Sequence, residues 1–147
     1  MEIRYAKNKD VANLFRWRNL KEIREVSTNK STIQWKDHCL WFNEAVKQTE
    51  TLLFVIKGDS GSVRIDKIEN YGRLSIYILP KFQGKGKGVK AIHEATEEAF
   101  RVWDIKRVVA YIRKDNENSL KVFSKVGFTK NNRAINIPDN CLEYEII

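Results

Sequence analysis

Apolar residues in the first third of the chain recur at the spacing of helix faces, after one short strand over residues 2–6. Between Asn8 and Leu20 the apolar positions include Val11, Leu14 and Trp17. This spacing predicts an amphipathic helix with Asn8 as its N-cap. Two further helices are expected, one over Lys21–Val26 and one from a cap at Ser31 or Thr32 to about Lys47.

From residue 51 onward the apolar pattern takes the period of β-strands. Thr51–Lys57 is almost continuously apolar, whereas Ser62–Ile68 alternates between apolar and polar side chains. Further strands are predicted over 74–79, 107–113, 128–135 and 141–147, with turns at 58–61 and 70–72. Helices are expected over about 89–103 and over 116–126, the second ended by Gly127. This order predicts a mixed α/β fold with one helix-covered sheet, in a single domain spanning residues 1–147.

Polar side chains on two neighbouring strands are predicted to share one face of the sheet. If the hairpin closes over Asn70-Tyr71, Asp66 lies opposite Ser75 and Arg64 lies opposite Tyr77. A loop of another length would change these pairs but not the shared face. Burying polar groups on a covered sheet face costs free energy unless they have partners, and a catalytic role would explain why this chain keeps them. The alternative explanation is an Arg64–Asp66 network in which the polar groups satisfy each other.

A glycine-rich loop between a predicted strand and a predicted helix carries the sharpest chemical signal. Three glycines fall within five residues of the segment 83–88, so the backbone can approach a ligand closely. Successive N–H groups at a helix start form an anion site, for which a pyrophosphate is the natural guest. A Walker A loop is excluded because no Gly-Lys pair is followed by Ser or Thr. A Rossmann fingerprint is a poorer match to this loop. That motif follows its strand directly and opens a larger parallel sheet, whereas here residues 80–83 lie between the strand and the loop.

Composition and charge narrow the class of protein. The 147 residues carry 27 Lys and Arg against 19 Asp and Glu, a formal net charge of +8. Such a surface attracts polyanions, which include nucleic acid, a phosphorylated cofactor and a nucleotide-linked substrate, or it is simply a solvated basic surface. Nucleic-acid-binding motifs, a long apolar run and metal-ligand cysteine spacing are all missing from the sequence. We therefore expect a cytoplasmic protein without a membrane, nucleic-acid or metal partner.

Two motifs together resemble the GCN5-related N-acetyltransferases (GNAT). The first is Gln83-x-x-Gly86-x-Gly88, and the second runs from Asn116 through Ser119 and Phe123 to Lys125-x-Gly127-Phe128. The resemblance covers essentially the whole chain. It implies a GNAT-like fold of about seven mostly antiparallel strands with a central splay, flanked by about four helices. It also implies an acetyltransferase whose cofactor is acetyl-CoA.

The resemblance assigns the cofactor to the glycine loop and its neighbours. The residues expected to bind it are Ile78, Leu79, Gln83, Gly84, Lys85, Gly86, Lys87, Gly88, Val89, Asn116, Ser119 and Phe123. One position departs from the family, because many members carry tyrosine where this chain has Phe123. That tyrosine is proposed there as the general acid for the leaving thiolate. The role is open here, or it falls to water or to another tyrosine such as Tyr77 or Tyr111.

The N-terminal half is expected to build the acceptor site. It resembles a subgroup acting on nucleotide-linked amino sugars, of the pseudaminic acid pathway type. The residues expected to bind the acceptor are Arg18, Asn19, Arg24, His38, Trp41 and Arg64. Their chemistry suits such an acceptor, because cations bind phosphates and an aromatic ring stacks on a base. An aromatic residue at helical spacing is, however, more often part of the core.

The expected reaction is direct acetyl transfer to a primary amine, with Asp66, Ser75 and Tyr77 as candidate catalytic residues. Asp66, or a water held by Ser75, would assist as a weak base. A backbone N–H near Ile78 or Leu79 would polarise the thioester carbonyl. Two alternatives stay open: a ribosomal-protein-type acetyltransferase acting on N-terminal or lysine amines, and a non-catalytic CoA-binding module. The partner is expected to be a small-molecule substrate, and the chain a monomer or a homodimer.

Overall fold

The computed structural model describes residues 1–132 and 137–147 and contains seven strands and five α-helices within them. The strands are β1 (Ile3–Tyr5), β2 (Thr51–Ile56), β3 (Gly61–Ile68), β4 (Tyr71–Ile78), β5 (Arg107–Arg113), β6 (Thr129–Asn131) and β7 (Cys141–Ile146). The helices are α1 (Val11–Arg18), α2 (Lys21–Val26), α3 (Trp35–Ala45), α4 (Lys87–Val102) and α5 (Glu117–Val126). No helix in the described ranges is both long and apolar enough to cross a lipid bilayer.

All seven strands form one sheet in the order β1-β2-β3-β4-β5-β7-β6. Neighbouring strands are antiparallel except for β4 and β5, which are parallel. That parallel pair is joined only where Tyr71–Arg73 meets Arg107–Val109, so the two strands diverge beyond those residues. The predicted fold class, a mixed and mostly antiparallel sheet with a central splay, is confirmed.

Helices cover the two faces of the sheet unequally. The largest apolar cluster lies between the sheet and α4, on what we call the rear face; small side chains on α4, such as Ala91 and Ala95, let the helix lie close to the strands. A second cluster joins Leu14 of α1 and Phe42 of α3 to Leu53 of β2 on the opposite, front face. The front faces of β3, β4 and β5 are therefore left open beside α1 and α3, and this opening positions the site.

The predicted N-caps of two helices are wrong. Asn8 does not cap α1, because residues 8–10 form a 3₁₀ turn and α1 begins after that turn, at Val11. Asp10 orders this turn: its carboxylate accepts a hydrogen bond from the Lys7 N–H at 2.8 Å and two from Arg4 at 2.8 and 2.9 Å. Helix α3 follows Gln34 rather than Ser31 or Thr32, and Gln34 contributes no side-chain cap. The predicted strand 128–135 is β6 in part, and residues 133–136 lie outside the described ranges.

The hairpin between β3 and β4 turns one residue earlier in the chain than expected. Its turn is Glu69-Asn70 alone, with Glu69 in the left-handed region at φ 54°, and Ile68 pairs directly with Tyr71. The predicted cross-strand pairs are therefore wrong by two residues: Arg64 lies opposite Ser75, and Asp66 lies opposite Arg73. A shift by an even number of residues keeps the same face, because side chains alternate along a strand. The predicted shared face is present.

Side chains rather than backbone pairing hold the loop between α2 and α3. The Asn19 amide donates to the Ile33 carbonyl at 2.9 Å and accepts from the Ile33 N–H at 2.7 Å. Arg24 donates to the carbonyls of Asn19 and Lys30 at 3.1 and 3.3 Å. Neither Asn19 nor Arg24 lines the cleft described below. In this structure they brace the loop, and their predicted role in acceptor binding stays a prediction.

Replacing Gly61 with alanine should destabilise the protein by more than about 2 kcal/mol, the range of overpacking. A Cβ at this position would lie 2.1 Å from the Tyr77 carbonyl oxygen, which belongs to the paired strand and cannot yield. Urea unfolding measures the change. Gly58→Ala is the matched control: its φ is +79° but no atom lies within 4 Å, so only strain of about 1 kcal/mol is expected. Equal losses for both variants would contradict the steric account.

Replacing Asn19 with alanine should lower the free energy of unfolding by about 1–3 kcal/mol, because two hydrogen bonds to Ile33 are lost. The same variant should be cleaved faster by protease within residues 27–34. Asn13→Ala, on the same helix with its side chain at the exposed surface hydrogen bond to Arg16, is the control. An unchanged cleavage rate together with a raised acceptor KM would instead restore the role in acceptor binding.

Candidate functional site

A cleft of about 1420 Å³ opens where β4 and β5 diverge. The glycine loop and α5 line one part of it, and α1, the α2–α3 loop and the front face of β3 line another. We call these the loop half and the acceptor half. Both halves meet at the splay, so two ligands bound in them would have their ends close together.

The divergence of β4 from β5 leaves a row of backbone groups along the cleft. The Leu79 N–H donates to the Ser60 carbonyl at 2.8 Å, which fixes the phase of the β3–β4 ladder. Hydrogen-bonded pairs alternate along an antiparallel ladder, so the backbone groups of Ile76 and Ile78 point away from β3 towards the splay. Consistent with this phase, the Ile78 carbonyl accepts a hydrogen bond from Gln83 Nε2 at 2.9 Å.

Leu79 cannot serve as the predicted carbonyl-polarising donor. Its N–H is bonded to Ser60, and its carbonyl accepts from the Phe82 N–H at 2.9 Å. Both backbone groups of Leu79 are therefore used inside the protein, and the side chain is 9% exposed at the edge of the core. The backbone groups that face the splay are those of Ile76 and Ile78.

The three glycines of the loop are required for two different reasons. Gly84 and Gly86 have φ of +77° and +78°, a conformation that side-chain-bearing residues rarely adopt. Gly88 has no such φ, but a Cβ there would lie 3.2 Å from Val122 of α5. The loop thus turns sharply into α4, whose first N–H groups lack intrahelical acceptors and point towards the cleft mouth.

Lys87 and Lys85 of the glycine loop differ in whether their positive charge is free to bind a ligand. Lys87 donates to Glu2 at 3.2 Å and to the Lys57 carbonyl at 3.1 Å, so its charge helps to hold the N-terminal segment. The ammonium of Lys85 lies 5.9 Å above the ring of Phe82 and is exposed. Lys121 and Lys125 of α5 line the cleft opposite the loop and were not predicted from the sequence.

The second sequence motif has its structural parts in place. The Asn116 side chain caps α5 by accepting from the Ser119 N–H at 3.2 Å, and Gly127 ends the helix with φ +115°. Asn116, Ser119 and Val89 also line the cleft. Phe123 is 3% exposed and packs edge-on against Phe128, with 5.1 Å between ring centroids. Its ring fills the core and has no group for proton transfer.

Asp66 lies beside the cleft rather than in its lining. Its carboxylate is 3.1 Å from Arg64 Nε and 3.9 Å from Arg73 Nη2, and it accepts a hydrogen bond from Thr51 Oγ1 at 3.0 Å. A carboxylate held by two guanidinium groups and a hydroxyl is a poor general base. The geometry instead gives Asp66 the task of orienting Arg64.

Ser75 and Tyr77 both line the cleft from β4. Ser75 is exposed to it, directly opposite Arg64. Tyr77 lies opposite Ser62, and burial raises the pKa of the Tyr77 phenol well above its usual range. Tyr77 therefore stays neutral and forms part of the cleft wall rather than acting as a base.

The acceptor half contains Arg18, Trp41 and Arg64, and His38 lines it from below. The guanidinium of Arg64 lies 5.3 Å from the centroid of the Trp41 ring. Arg18 donates from Nη2 to the Asn29 carbonyl at 2.8 Å. His38 is 3% exposed, and its Nε2 lies 2.8 Å from the Val11 carbonyl. Burial lowers the pKa of His38, so we assign it a packing role.

Arg73 and Arg113 also line the cleft, and neither was predicted from the sequence as a site residue. Tyr111 lines it too, although the sequence offered it only as one alternative for the missing general acid. The segment 107–113 has a buried-type apolar run, which conceals that its odd-numbered residues share the front face. Strand alternation applied to this segment places Tyr111 and Arg113 on that face. Arg73 follows in the same way from the corrected hairpin register.

The loop half fits acetyl-CoA. The helix start and the two left-handed glycines can hold a pyrophosphate, with Lys121 and Lys125 nearby for further phosphate charge. The free edge of β4 at Ile76 and Ile78 offers backbone donors and acceptors to an extended amide-containing arm such as pantetheine. The cofactor assignments for Gln83 to Val89, Asn116 and Ser119 remain expectations that this geometry permits.

Comparison with known proteins places the chain among acetyltransferases. Residues 1–129 match the family described as acetyltransferase (GNAT) domain. Spermidine N(1)-acetyltransferase of Escherichia coli K12 is 28% identical over 67 residues, which are 46% of this chain and only 36% of that protein. Acetyltransferase PseH of Campylobacter jejuni is 22% identical over 126 residues, covering 83% of this chain and 78% of that protein.

A solved structure gives the same answer for the fold. The crystal structure of spermidine N-acetyltransferase from Vibrio cholerae, in complex with CoA and spermine, superposes with a TM-score of 0.84 at 17% identity. The match covers 98% of this chain and 93% of that one. With the family match over residues 1–129, these findings establish that the chain belongs to the GNAT family of acetyltransferases, whose acyl donor is acetyl-CoA.

Proposed function

We propose that this chain transfers an acetyl group from acetyl-CoA directly to a primary amine of a small molecule that also carries negative charge. A nucleotide-linked amino sugar is the acceptor class that fits best. The observation that carries this proposal is the charge of the cleft, where arginine and lysine side chains project from both halves. No carboxylate of residues 1–132 or 137–147 lines the cleft.

Two guanidinium groups in the acceptor half have hydrogen-bonding capacity that the described protein does not use. Arg18 Nη1 and Arg64 Nε are buried, and neither makes a hydrogen bond within the described residues. Arg64 Nε is close enough to Asp66 for an ion pair, but the N–H is not aligned for a hydrogen bond. A buried donor without an acceptor costs roughly 1–3 kcal/mol, so a ligand with phosphate or carboxylate oxygens would offset that cost.

The electrostatics of Arg18 favour the same class of ligand. Burial lowers its pKa first, and the positive charges of Arg64 and Arg24 lower it further. A carboxylate partner for Arg18 is missing from the described contacts, where its one hydrogen bond goes to the Asn29 carbonyl. An anion bound between Arg18 and Arg64 would offset the repulsion between their positive charges. A phosphate group suits such a site, because arginine can bind it through two parallel hydrogen bonds.

The same charge argues against a polycationic acceptor. Spermidine would bring further positive charge into a cleft lined by Arg18, Arg64, Arg73 and Arg113. The similarity to acetyltransferase PseH spans most of both chains, whereas the similarity to spermidine N(1)-acetyltransferase spans 36% of that protein. The Trp41 indole lines the same half and offers an aromatic surface on which a nucleotide base can stack.

Different residues of the cleft bind the acetyl donor, bind the acceptor and position the amine for direct transfer. Acetyl-CoA supplies the acetyl group as a thioester, which a neutral amine can attack without metal or covalent enzyme intermediate. Ile76 and Ile78 hold the donor arm through their backbone groups, and Arg18 and Arg64 fix the anionic end of the acceptor. Ser75, exposed at the splay, can hold the amine or a water beside it. Asp66 keeps Arg64 in place from outside the cleft.

The acceptor class is tested by measuring acetyl transfer to four amines: UDP-glucosamine, glucosamine, spermidine and a peptide with a free N-terminal alanine. We expect the highest kcat/KM for UDP-glucosamine, falling as salt is raised because ions screen the attraction. Preference for spermidine would contradict the anionic acceptor. Preference for the peptide would favour a protein acetyltransferase, and binding of acetyl-CoA without turnover of any amine would favour a non-catalytic module.

Arg18→Ala should raise the KM for UDP-glucosamine by roughly 10- to 100-fold, the value of one or two charge-assisted hydrogen bonds. The KM for acetyl-CoA should change less than about twofold. Arg16→Ala is the control, because Arg16 lies on the same helix but is exposed and outside the cleft. An Arg18→Ala variant that keeps the parent KM for UDP-glucosamine would exclude an anion site at this position.

A further inference from the structure

A tyrosine and a serine face each other across the splay on the front face of the sheet. Arg73 of β4 is the last residue paired with β5, where its partner is Val109. Two residues further along each strand, on the same face, are Ser75 and Tyr111. Both side chains line the cleft at the point where its two halves meet. Tyr111 is thus on the β5 side of the site at which an acceptor amine and an acyl donor come together.

A buried carboxylate lies directly behind Tyr111. Glu143 of β7 is the cross-strand partner of Tyr111, so the two side chains lie side by side on the same face of the sheet. Glu143 is 4% exposed, and its Oε1 is buried without a hydrogen bond in the described part of the chain. The nearest described cation is Arg107, whose Nη1 lies 3.6 Å from that oxygen. A buried acidic group is costly to keep, and Glu143 lies next to the cleft as the cross-strand neighbour of Tyr111, which lines it.

Several charged and titratable groups surround Tyr111 and Glu143. Burial raises the pKa of Tyr111, and the charge of Glu143 raises it further, with Tyr71 in the same direction and Arg73 opposing. Tyr111 is therefore a neutral hydroxyl beside a carboxylate, on a side chain that lines the cleft. Behind it, Arg107 also lies 3.7 Å from Glu145, which is on the same strand face as Glu143.

We propose that Tyr111 is a catalytic residue that takes the proton of the acceptor amine, and that Glu143 is the positioning residue that receives the proton from Tyr111. As the nitrogen–carbon bond forms, one N–H proton moves to Tyr111 Oη, and the Tyr111 hydroxyl proton moves to the Glu143 carboxylate. The carbon–sulfur bond breaks, and its electron pair leaves with the CoA thiolate. Glu143 later returns the proton to solvent by the same path. The inference rests on the proposed function only in that an amine is acetylated, whichever molecule carries it.

The pair also accounts for two features that the sequence left open. Asp66, the predicted base, lies outside the cleft lining and is held by two arginines. Phe123, which stands where many relatives have a tyrosine, is in the core. Tyr111 and Glu143 give the site a hydroxyl and a carboxylate on the other side of the splay from Ser75.

The experiment compares two conservative variants with matched controls. Tyr111→Phe removes only the hydroxyl, and Tyr144→Phe does the same on the adjacent strand but on the rear face, where Tyr144 packs against the core. Glu143→Gln removes the proton acceptor. Glu145→Gln changes a glutamate that is also buried on the same face and also within 4 Å of Arg107, but it is paired with Val109 instead of a tyrosine.

We expect Tyr111→Phe to lower kcat by roughly 100-fold and Glu143→Gln by at least about tenfold, the range of general base catalysis. Tyr144→Phe and Glu145→Gln should stay within about twofold of the parent, and Glu143→Asp should recover part of the loss. The deficit of Tyr111→Phe should shrink as pH rises, because solvent hydroxide increasingly removes the proton. A deficit that is constant with pH would indicate a merely structural role and overturn the proposal, as would parent-like turnover by Tyr111→Phe.

A second readout does not depend on which amine is acetylated. The ultraviolet absorbance of phenolate, taken as the difference between the parent and Tyr111→Phe, follows the titration of Tyr111 alone. We expect Glu143→Gln to move its midpoint to lower pH and Glu145→Gln to move it less. If none of the four amines is acetylated, the proposed function fails and this titration decides on the pair: an unchanged midpoint in Glu143→Gln overturns it.

Discussion

The short parallel pairing between β4 and β5 is the constraint on which the rest of the site depends. Three residue pairs hold the strands together at one end, and beyond them the strands separate. The antiparallel ladder with β3 continues along the whole of β4, so β4 stays straight and ordered while its other edge becomes free. A sheet edge inside a protein has unpaired donors and acceptors. Here that edge is the floor of a ligand cleft.

The elements around the splay are fitted to this opening. Gly86 lets the chain turn into α4, and Gly88 lets α4 and α5 lie close enough for both to border the cleft. The cap formed by Asn116 starts α5 shortly after β5 ends at Arg113. On the front face, the α2–α3 loop is held by Asn19 and Arg24, so the acceptor half has a wall built from side-chain hydrogen bonds.

Charge is divided across the cleft in a way that suits an acceptor with two unlike ends. Arg18 and Arg64 give the acceptor half positive charge and N–H groups without hydrogen-bond partners among the described residues, while the carboxylates of Asp66 and Glu143 lie outside the cleft lining. Asp66 acts on the cleft through Arg64, and Glu143 acts through Tyr111. An anionic group would be held at the arginines, and an amine at the hydroxyls near the splay. In this arrangement, the charged groups that would bind the acceptor are different from the groups that would transfer its proton.

The sequence by itself determined the element order, the shared polar face of β3 and β4, the glycine loop and the family. These features depend on residue periodicity and on local backbone demands, such as the left-handed conformation at Gly84 and Gly86, which neighbouring residues decide. Only the tertiary structure decided the hairpin register, because moving the turn by one residue leaves the alternation along each strand unchanged. It also decided that Asn19, Arg24 and His38 bond to backbone groups and that Tyr111 lies beside Glu143. Those contacts join segments far apart in the chain, and residue type alone does not tell which polar side chains will find each other.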